Sequence, residues 1–307
     1  MNRNISFSKT ITIFSAPESL WEVLKSGQLY EKAWSAKLET TWEVGSDIRF
    51  SGTWEGVDYF DKGVVQIYDE LRLLKFSYWS SFWEVADTPN EYCFITFRID
   101  TLDSTSCECT VVQDGFRDEK HYTDTTMLLT DTLAIIKLEA EKMSLASFAS
   151  NVFSRLSEFV VSVDPEFYNG PFKDGWSPGQ IVEHVIMSSS GLKDFFKDAT
   201  SSSAPYDSNV QAIKTMMLDT KQKLKTPESL VPPFKLFDQQ QHAKQLDLIN
   251  REINHCIETF DFSMKCESYE VPPFGQMTVF EWLIFTVYHI ERHTRHFNWL
   301  VSEQKSN

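Results

Sequence analysis

Polar and apolar residues alternate through SKTITIF near the N-terminus, and the same period of two returns in DIRFSGTW, KGVVQIYD, RLLKFSYW, YCFITFRI and CECTVVQD. Each run reads as a half-buried strand, because successive side chains in a strand point to opposite faces. Glu55-Gly56, Pro89-Asn90 and Asp103-Ser104 supply turn signals between them. Short spacing and clean alternation predict an antiparallel meander with one wet face. Ala16-Pro17-Glu18-Ser19 opens a short amphipathic helix that groups Leu20, Val23 and Leu24. After Gly115-Phe116 the period lengthens. Met127, Leu128, Leu133, Ile135, Ile136 and Leu138 then fit one long helix that closes this part of the chain.

From Ser144 onward the pattern is helical almost throughout. Leu145, Phe148, Val152, Leu156 and Val160 form one stripe, and Ser177-Pro178 marks a helix start with a Ser cap and Pro at the first position. SSSAPYDSN reads as a loop, and a further helical segment begins near Val210. Pro227 and Pro232-Pro233 precede a long helix over QHAKQLDLINREINHCIETF. Pro272-Pro273-Phe274-Gly275 breaks that helix, and TVFEWLIFTVYHIERHTRHFNWL forms the last one. The expected architecture is an α+β domain over residues 1–143, a curved antiparallel sheet around a long C-terminal helix. An all-α four-helix bundle follows over residues 144–307.

Composition narrows the function classes. The chain of 307 residues carries a formal net charge of −15, which repels phosphate backbones and disfavours a nucleic-acid partner. WLIFTVY is too short to span a bilayer, and MNRNISFSKTITIF lacks the apolar core of a signal peptide, so no membrane association is expected. Five cysteines, an odd number without zinc-finger spacing, point to a reducing, cytoplasmic setting. An aromatic content of 14% suits wide cores or an apolar cavity.

TITIFSAPESLWEVL, RLLKFSYW and VVQDGF before a long helix resemble the START-like helix-grip superfamily, abbreviated SRPBCC, over about residues 5–143. The resemblance implies a helix-grip fold that holds a small apolar ligand between sheet and helix; no catalytic set transfers with it. By alternation Leu74, Phe76 and Tyr78 share one strand face, and Phe50, Gly52 and Trp54 another. Phe50, Trp54, Leu74, Phe76 and Tyr78 are therefore the candidate cavity lining.

The second half carries the histidine signal. His289 and His293 are four apart on a helix and lie about 40° apart around its axis, a spacing at which two imidazoles share a metal. A third ligand must come from another helix, and His184 in WSPGQIVEHV sits among Ile181, Val182 and Val185. Glu291 lies about 200° around from His289, so the metalloprotease reading of this segment fails on geometry. WSPGQIVEHV followed by PPFGQMTVFEWLIFTVYHIERHTRHF resembles the DinB-like family of metal-binding four-helix bundles over roughly residues 144–302. That resemblance implies a divalent-metal site at His184, His289 and His293. His296 stands where relatives often have Gln and is a candidate for support around the ligands. Zinc is the default for imidazole ligands, and nickel competes. Three protein ligands leave a coordination position open for water or a thiol.

Two functions follow as expectations. One is a thiol-dependent transferase or hydrolase acting at the metal; the other is a non-catalytic protein that binds or senses a small apolar ligand while the metal organises the bundle. No general base is evident beside the histidines, since Glu183 projects about 100° from His184. His242 and His255 read as structural. The state of assembly, including a homodimer, stays open.

Overall fold

The alternating segments become strands in the computed structural model, which describes residues 5–170, 175–219, 221 and 224–306. The first four residues of the N-terminal run lie outside the described residues. The strands are β1 (Ser6–Ile13), β2 (Lys37–Glu39), β3 (Asp47–Trp54), β4 (Val57–Asp69), β5 (Leu73–Ser80), β6 (Cys93–Asp103) and β7 (Ser106–Asp114). They form one antiparallel sheet in the order β1-β7-β6-β5-β4-β3-β2. The chain divides into two compact units, Met1–Ser144 and Leu145–Asn307.

Period two sorts the side chains of the sheet. Ile48 and Phe50 on β3, Val65 on β4, Leu74 and Phe76 on β5, Phe97 and Ile99 on β6, and Cys107, Cys109 and Val111 on β7 all point into one core. Two helices after β1 pack on it: α1 (Pro17–Lys25), as expected from its start signal, and α2 (Gly27–Trp34). The second was not anticipated. It begins at a glycine and is too short for a periodic stripe, but burial of Leu29 and Tyr30 and a Ser26 side chain that accepts from the Leu29 N–H hold it.

The long helix expected at the end of the first unit and the helix expected at the start of the second are one element, α3 (Glu119–Ser162). No Gly or Pro occurs in those 44 residues, so nothing in the backbone stops the first helix before the second begins. In the first unit its inward stripe is Leu129, Leu133, Ile136 and Ala140, spaced four, three and four.

The second unit is helical. It holds the C-terminal half of α3, then α4 (Pro165–Asn169), α5 (Pro178–Ser189), α6 (Leu192–Phe195), α7 (Val210–Leu218), α8 (Gln239–Thr259) and α9 (Val279–Ser306). Ser177 caps α5 in a reciprocal box with Gln180, which stabilises the helix start by about 1 kcal/mol. On α9, Glu291 is buried and paired with Arg155 of α3 and, at 2.6 Å, with Arg295. Among the described residues no helix is long and apolar enough to cross a membrane.

One glycine shows how tightly the sheet is built. A Cβ added at Gly63 of β4 would lie 1.6 Å from the Ser77 carbonyl oxygen of β5, a backbone atom that cannot swing aside. Gly63→Ala is therefore expected to cost on the order of 3 kcal/mol or more, since the β4–β5 pairing must open to accept one methyl. Urea unfolding followed by tryptophan fluorescence checks this; an unchanged midpoint would refute it.

Candidate metal centre and ligand cavity

Helix geometry delivers the histidines to one point. His289 and His293 stack on one face of α9, and His184 enters from α5 two turns after its capped start. The His289 Nε2 lies 3.2 Å from His184 Nε2 and 3.1 Å from His293 Nε2. One ligand nitrogen from each ring falls within 4.8 Å of the others. Imidazole nitrogens about 2.0–2.1 Å from a tetrahedral ion sit about 3.3 Å apart, so the observed spacing fits a shared cation.

The opposite ring nitrogens decide the tautomers. His184 Nδ1 lies 2.9 Å from the Leu230 carbonyl, which only accepts; Nδ1 therefore carries the proton and Nε2 presents a lone pair to the cluster. Leu230 ends a 3-10 turn, Glu228–Leu230, in the segment before α8. His289 Nδ1 is 3.5 Å from the Ser188 hydroxyl, while His293 Nδ1 is buried with no hydrogen-bond partner.

Burial keeps all three rings neutral. Desolvation lowers the pKa of His184 and takes His289 to about 3, with His184 and Arg292 adding repulsion. His293 is depressed further by burial, then by His289 and His184. A neutral imidazole is the form that ligates. Trp176 packs on His184 with ring centroids 5.0 Å apart, and Phe285 stacks on His289 at 6.2 Å, so the cluster is walled by aromatic rings.

The other titratable residues of this region face elsewhere. His296 is exposed, stacks on Trp299 and is not among the converging groups. Glu291 faces Arg155 and Arg295, as its position around the helix required. Glu183 accepts from His242 Nε2 at 3.1 Å and pairs with Lys235 at 3.2 Å; the Tyr168 hydroxyl meets His242 Nδ1 at 2.6 Å. His242 thus has the structural place expected of it, in a buried chain next to His184 that the sequence did not reveal.

The first unit contains a cavity of about 960 Å³ between the sheet and the start of α3. Of the five residues expected to line it, Trp54 and Tyr78 do so, whereas Phe50, Leu74 and Phe76 are packed into the core. The correction has a simple cause. Alternation assigns a face but not what covers it: Leu74 lies at the far end of β5, whereas Phe50 and Phe76, paired with the lining residues Asp61 and Ile95, are covered by the rings of Tyr30, Trp34 and Trp42. The residues missed there are polar. Asp61, Gln113 and His121 are buried and line the cavity, beside Trp34, Trp83 and Arg117. Asp61 and Gln113 fall on inward positions of β4 and β7, so a polar residue in the apolar parity of a strand was the signal available.

Comparison with known proteins agrees with the division. Residues 15–138 match the family described as Activator of Hsp90 ATPase homolog 1-like protein, and residues 150–297 match the DinB superfamily. No curated protein matches the chain. Similar solved structures include a solution structure from Cytophaga hutchinsonii, at 24% identity over 45% of this chain and 94% of that one, with a TM-score of 0.40. The Aha1 dimer from Colwellia psychrerythraea is 13% identical over 44% of this chain and 96% of its own, with a TM-score of 0.36. A crystal structure from Mesorhizobium loti is 19% identical over 44% and 96%, with a TM-score of 0.37.

The depressed imidazoles make stability depend on pH. An unfolded histidine takes up its proton near pH 6.5, whereas folded His289 resists until about 3. Between those values the unfolded chain binds more protons, so stability falls as pH falls, by roughly 1.4 kcal/mol per pH unit for each such histidine. Urea unfolding of chelator-treated protein at about pH 7.5 and about pH 5 checks the slope. The expected midpoint is lower in acid, and less so in His289→Leu; equal slopes in the two proteins would refute the assignment.

Proposed function

The chain joins an Activator of Hsp90 ATPase homolog 1-like domain at residues 15–138 to a DinB superfamily domain at residues 150–297, and from that premise we propose that it is a metal-dependent enzyme acting on small molecules through His184, His289 and His293. The observation that carries this reading is the convergence of three neutral ring nitrogens at ligand spacing, with His184 Nε2 turned inward by the Leu230 carbonyl. Zinc suits the donor set best, and nickel is the alternative. Bound there, a divalent cation would supply Lewis acidity and ease deprotonation of a water or thiol in its open position.

The protein's own residues do the holding. His184, His289 and His293 offer lone pairs, the Leu230 carbonyl and the Ser188 hydroxyl fix two rings from behind, and Trp176 and Phe285 pack their rings on His184 and His289. The nucleophile comes from outside the chain. In the second unit burial pushes the Cys256 thiol up to about 11 and the Cys266 thiol up to about 12, so neither is a ready thiolate. A low-molecular-weight thiol or water fills that role, which makes the activity a thiol-dependent transfer or a hydrolysis. Five free buried thiols suit a reducing, cytoplasmic setting.

A second reading is favoured by a separate observation, the 960 Å³ cavity of the first unit. In this reading the first unit captures a small apolar ligand and the metal organises the helices without turnover.

Elemental analysis of untagged protein purified without chelator tests the primary reading. About one equivalent of zinc or nickel is expected, lost in the double variant His289→Ala/His293→Ala and not restored there by added metal salt. Stoichiometric metal would then be followed by assays with small thiols and electrophiles. No metal in the wild type, with unchanged stability in the double variant, would sink it.

A further inference from the structure

The inward face of β7 reads Cys107, Cys109, Val111, Gln113: three buried apolar positions and then a buried amide. Gln113 is 1% exposed, and neither its Nε2 nor its Oε1 has a hydrogen-bond partner among the described residues. An amide buried in this way forgoes both its water and its protein partners, a cost of several kcal/mol unless something else meets it. It lines the cavity.

His121, from the first turn of α3, lines the same cavity and is 6% exposed. Its Nδ1 accepts from the backbone N–H and from the Nε–H of Arg117, both at 3.3 Å. The ring proton is therefore on Nε2, and that N–H is buried with no partner. The other buried polar groups of the lining, Asp61 and Ser80, are occupied. Asp61 accepts from the Tyr78 hydroxyl and, at 3.2 Å, from the Ser81 N–H. Arg117 lies over the Trp83 ring at 4.5 Å and donates to its carbonyl. What stays open is one acceptor and two kinds of donor, all uncharged.

The walls and the charge complete the description. Trp34, Trp54, Tyr59, Tyr78, Phe82 and Trp83 surround the space, and Trp54 and Phe82 remain about half exposed. Acidic residues in the lining, Asp61, Glu84, Asp118 and Asp124, outnumber the basic pair Arg117 and Lys120, which disfavours an anionic guest.

We propose that the cavity of the first unit binds a flat aromatic molecule bearing a neutral carboxamide or lactam, whose carbonyl accepts from His121 Nε2–H and Gln113 while its N–H donates to Gln113 Oε1. A terminal amide places donor and acceptor side by side, and a carboxamide or lactam matches it with two parallel hydrogen bonds. A carboxylate meets an acidic lining and has no proton for Oε1; a plain hydrocarbon leaves every open group unpaired. This proposal rests on the reading of the cavity as a ligand site and is independent of the metal.

Isothermal titration of the full chain with 1-naphthamide, 1-naphthoate and naphthalene tests it. The amide is expected to bind about tenfold or more tightly than either of the others, as two recovered hydrogen bonds require. In Gln113→Leu that preference falls to about parity, and in His121→Phe, which keeps both hydrogen bonds to Gln113, it weakens. Thermal unfolding of each variant guards against a folding defect: Gln113→Leu removes an unpaired buried amide, so its unliganded Tm rises. Equal binding of all three compounds, or a preference that survives both substitutions, would overturn the amide assignment and leave the cavity reading standing. Binding of none of them would overturn both.

Discussion

A buried polar atom without a partner costs about 1–3 kcal/mol, and both candidate sites of this protein are places where that cost is carried openly. Elsewhere many buried polar groups are settled, although among the described residues Trp21 Nε1, Trp79 Nε1, Ser189 Oγ and Trp282 Nε1 are also buried without a partner. Glu291 meets two arginines, Arg292 donates to the carbonyls that end α7, and the Ser177 box closes the start of α5. Two places gather several groups at once. Between α5 and α9 the Nε2 atoms of His184 and His293 both lie within hydrogen-bond distance of His289 Nε2, with His293 Nδ1 unpartnered behind them; in the cavity lining an amide and an imidazole N–H are both unpartnered among the described residues.

The histidine cluster also depends on atoms distant in sequence. The Leu230 carbonyl sets the tautomer of His184, and the segment carrying it is pinned on the far side of α5. Lys235 reaches Glu183, and Asn169 exchanges two hydrogen bonds with the backbone of Phe237, at 2.7 and 3.1 Å. Glu183 in turn takes His242, which takes Tyr168. Glu183 and His184 are neighbours on α5 pointing different ways. The buried chain through Glu183 therefore fixes the rotation of the helix that aims His184. This is a positioning role, and it explains why a carboxylate beside a histidine of the cluster is not itself in it.

How much of this was legible follows from the range of each interaction. His289 and His293 were readable because i and i+4 share a helix face whatever surrounds the helix. His184 could be placed only through the order of motifs, since nothing local says which partner helix faces α9. The strands other than β2 and the long helix followed from period, and the turns from residues such as Gly56, Pro89 and Asp103; β2, three residues long, is too short to show a period. The helices expected on either side of residue 143 proved to be one, because no Gly or Pro there ends a helix. In the cavity, alternation found the right face but could not show which positions neighbouring rings cover, so Phe50, Leu74 and Phe76 proved to be core while Trp54 and Tyr78 reach the space. Gln113 and Asp61 carried the better signal. Reading a strand for its apolar residues passes over the polar one that keeps the same parity.

The electrostatics of the histidine cluster bear on what could occupy it. A proton shared between two rings would relieve one pair of lone pairs, but it would place a net charge in a site whose burial already drives the imidazole pKa values down, with Arg292 adding to the repulsion. It would also leave the third ring unserved. A divalent cation accepts all three lone pairs at once, and its attraction for them grows in the same low dielectric that excludes the proton. Burial penalises the charge of a proton and of a cation alike; coordination by three nitrogens offsets that cost for the proposed ion, whereas a proton is held by two rings at most. The hydrogen bond from His184 Nδ1 to Leu230 strengthens that choice, since a ring already donating on one side is a better donor of electrons on the other.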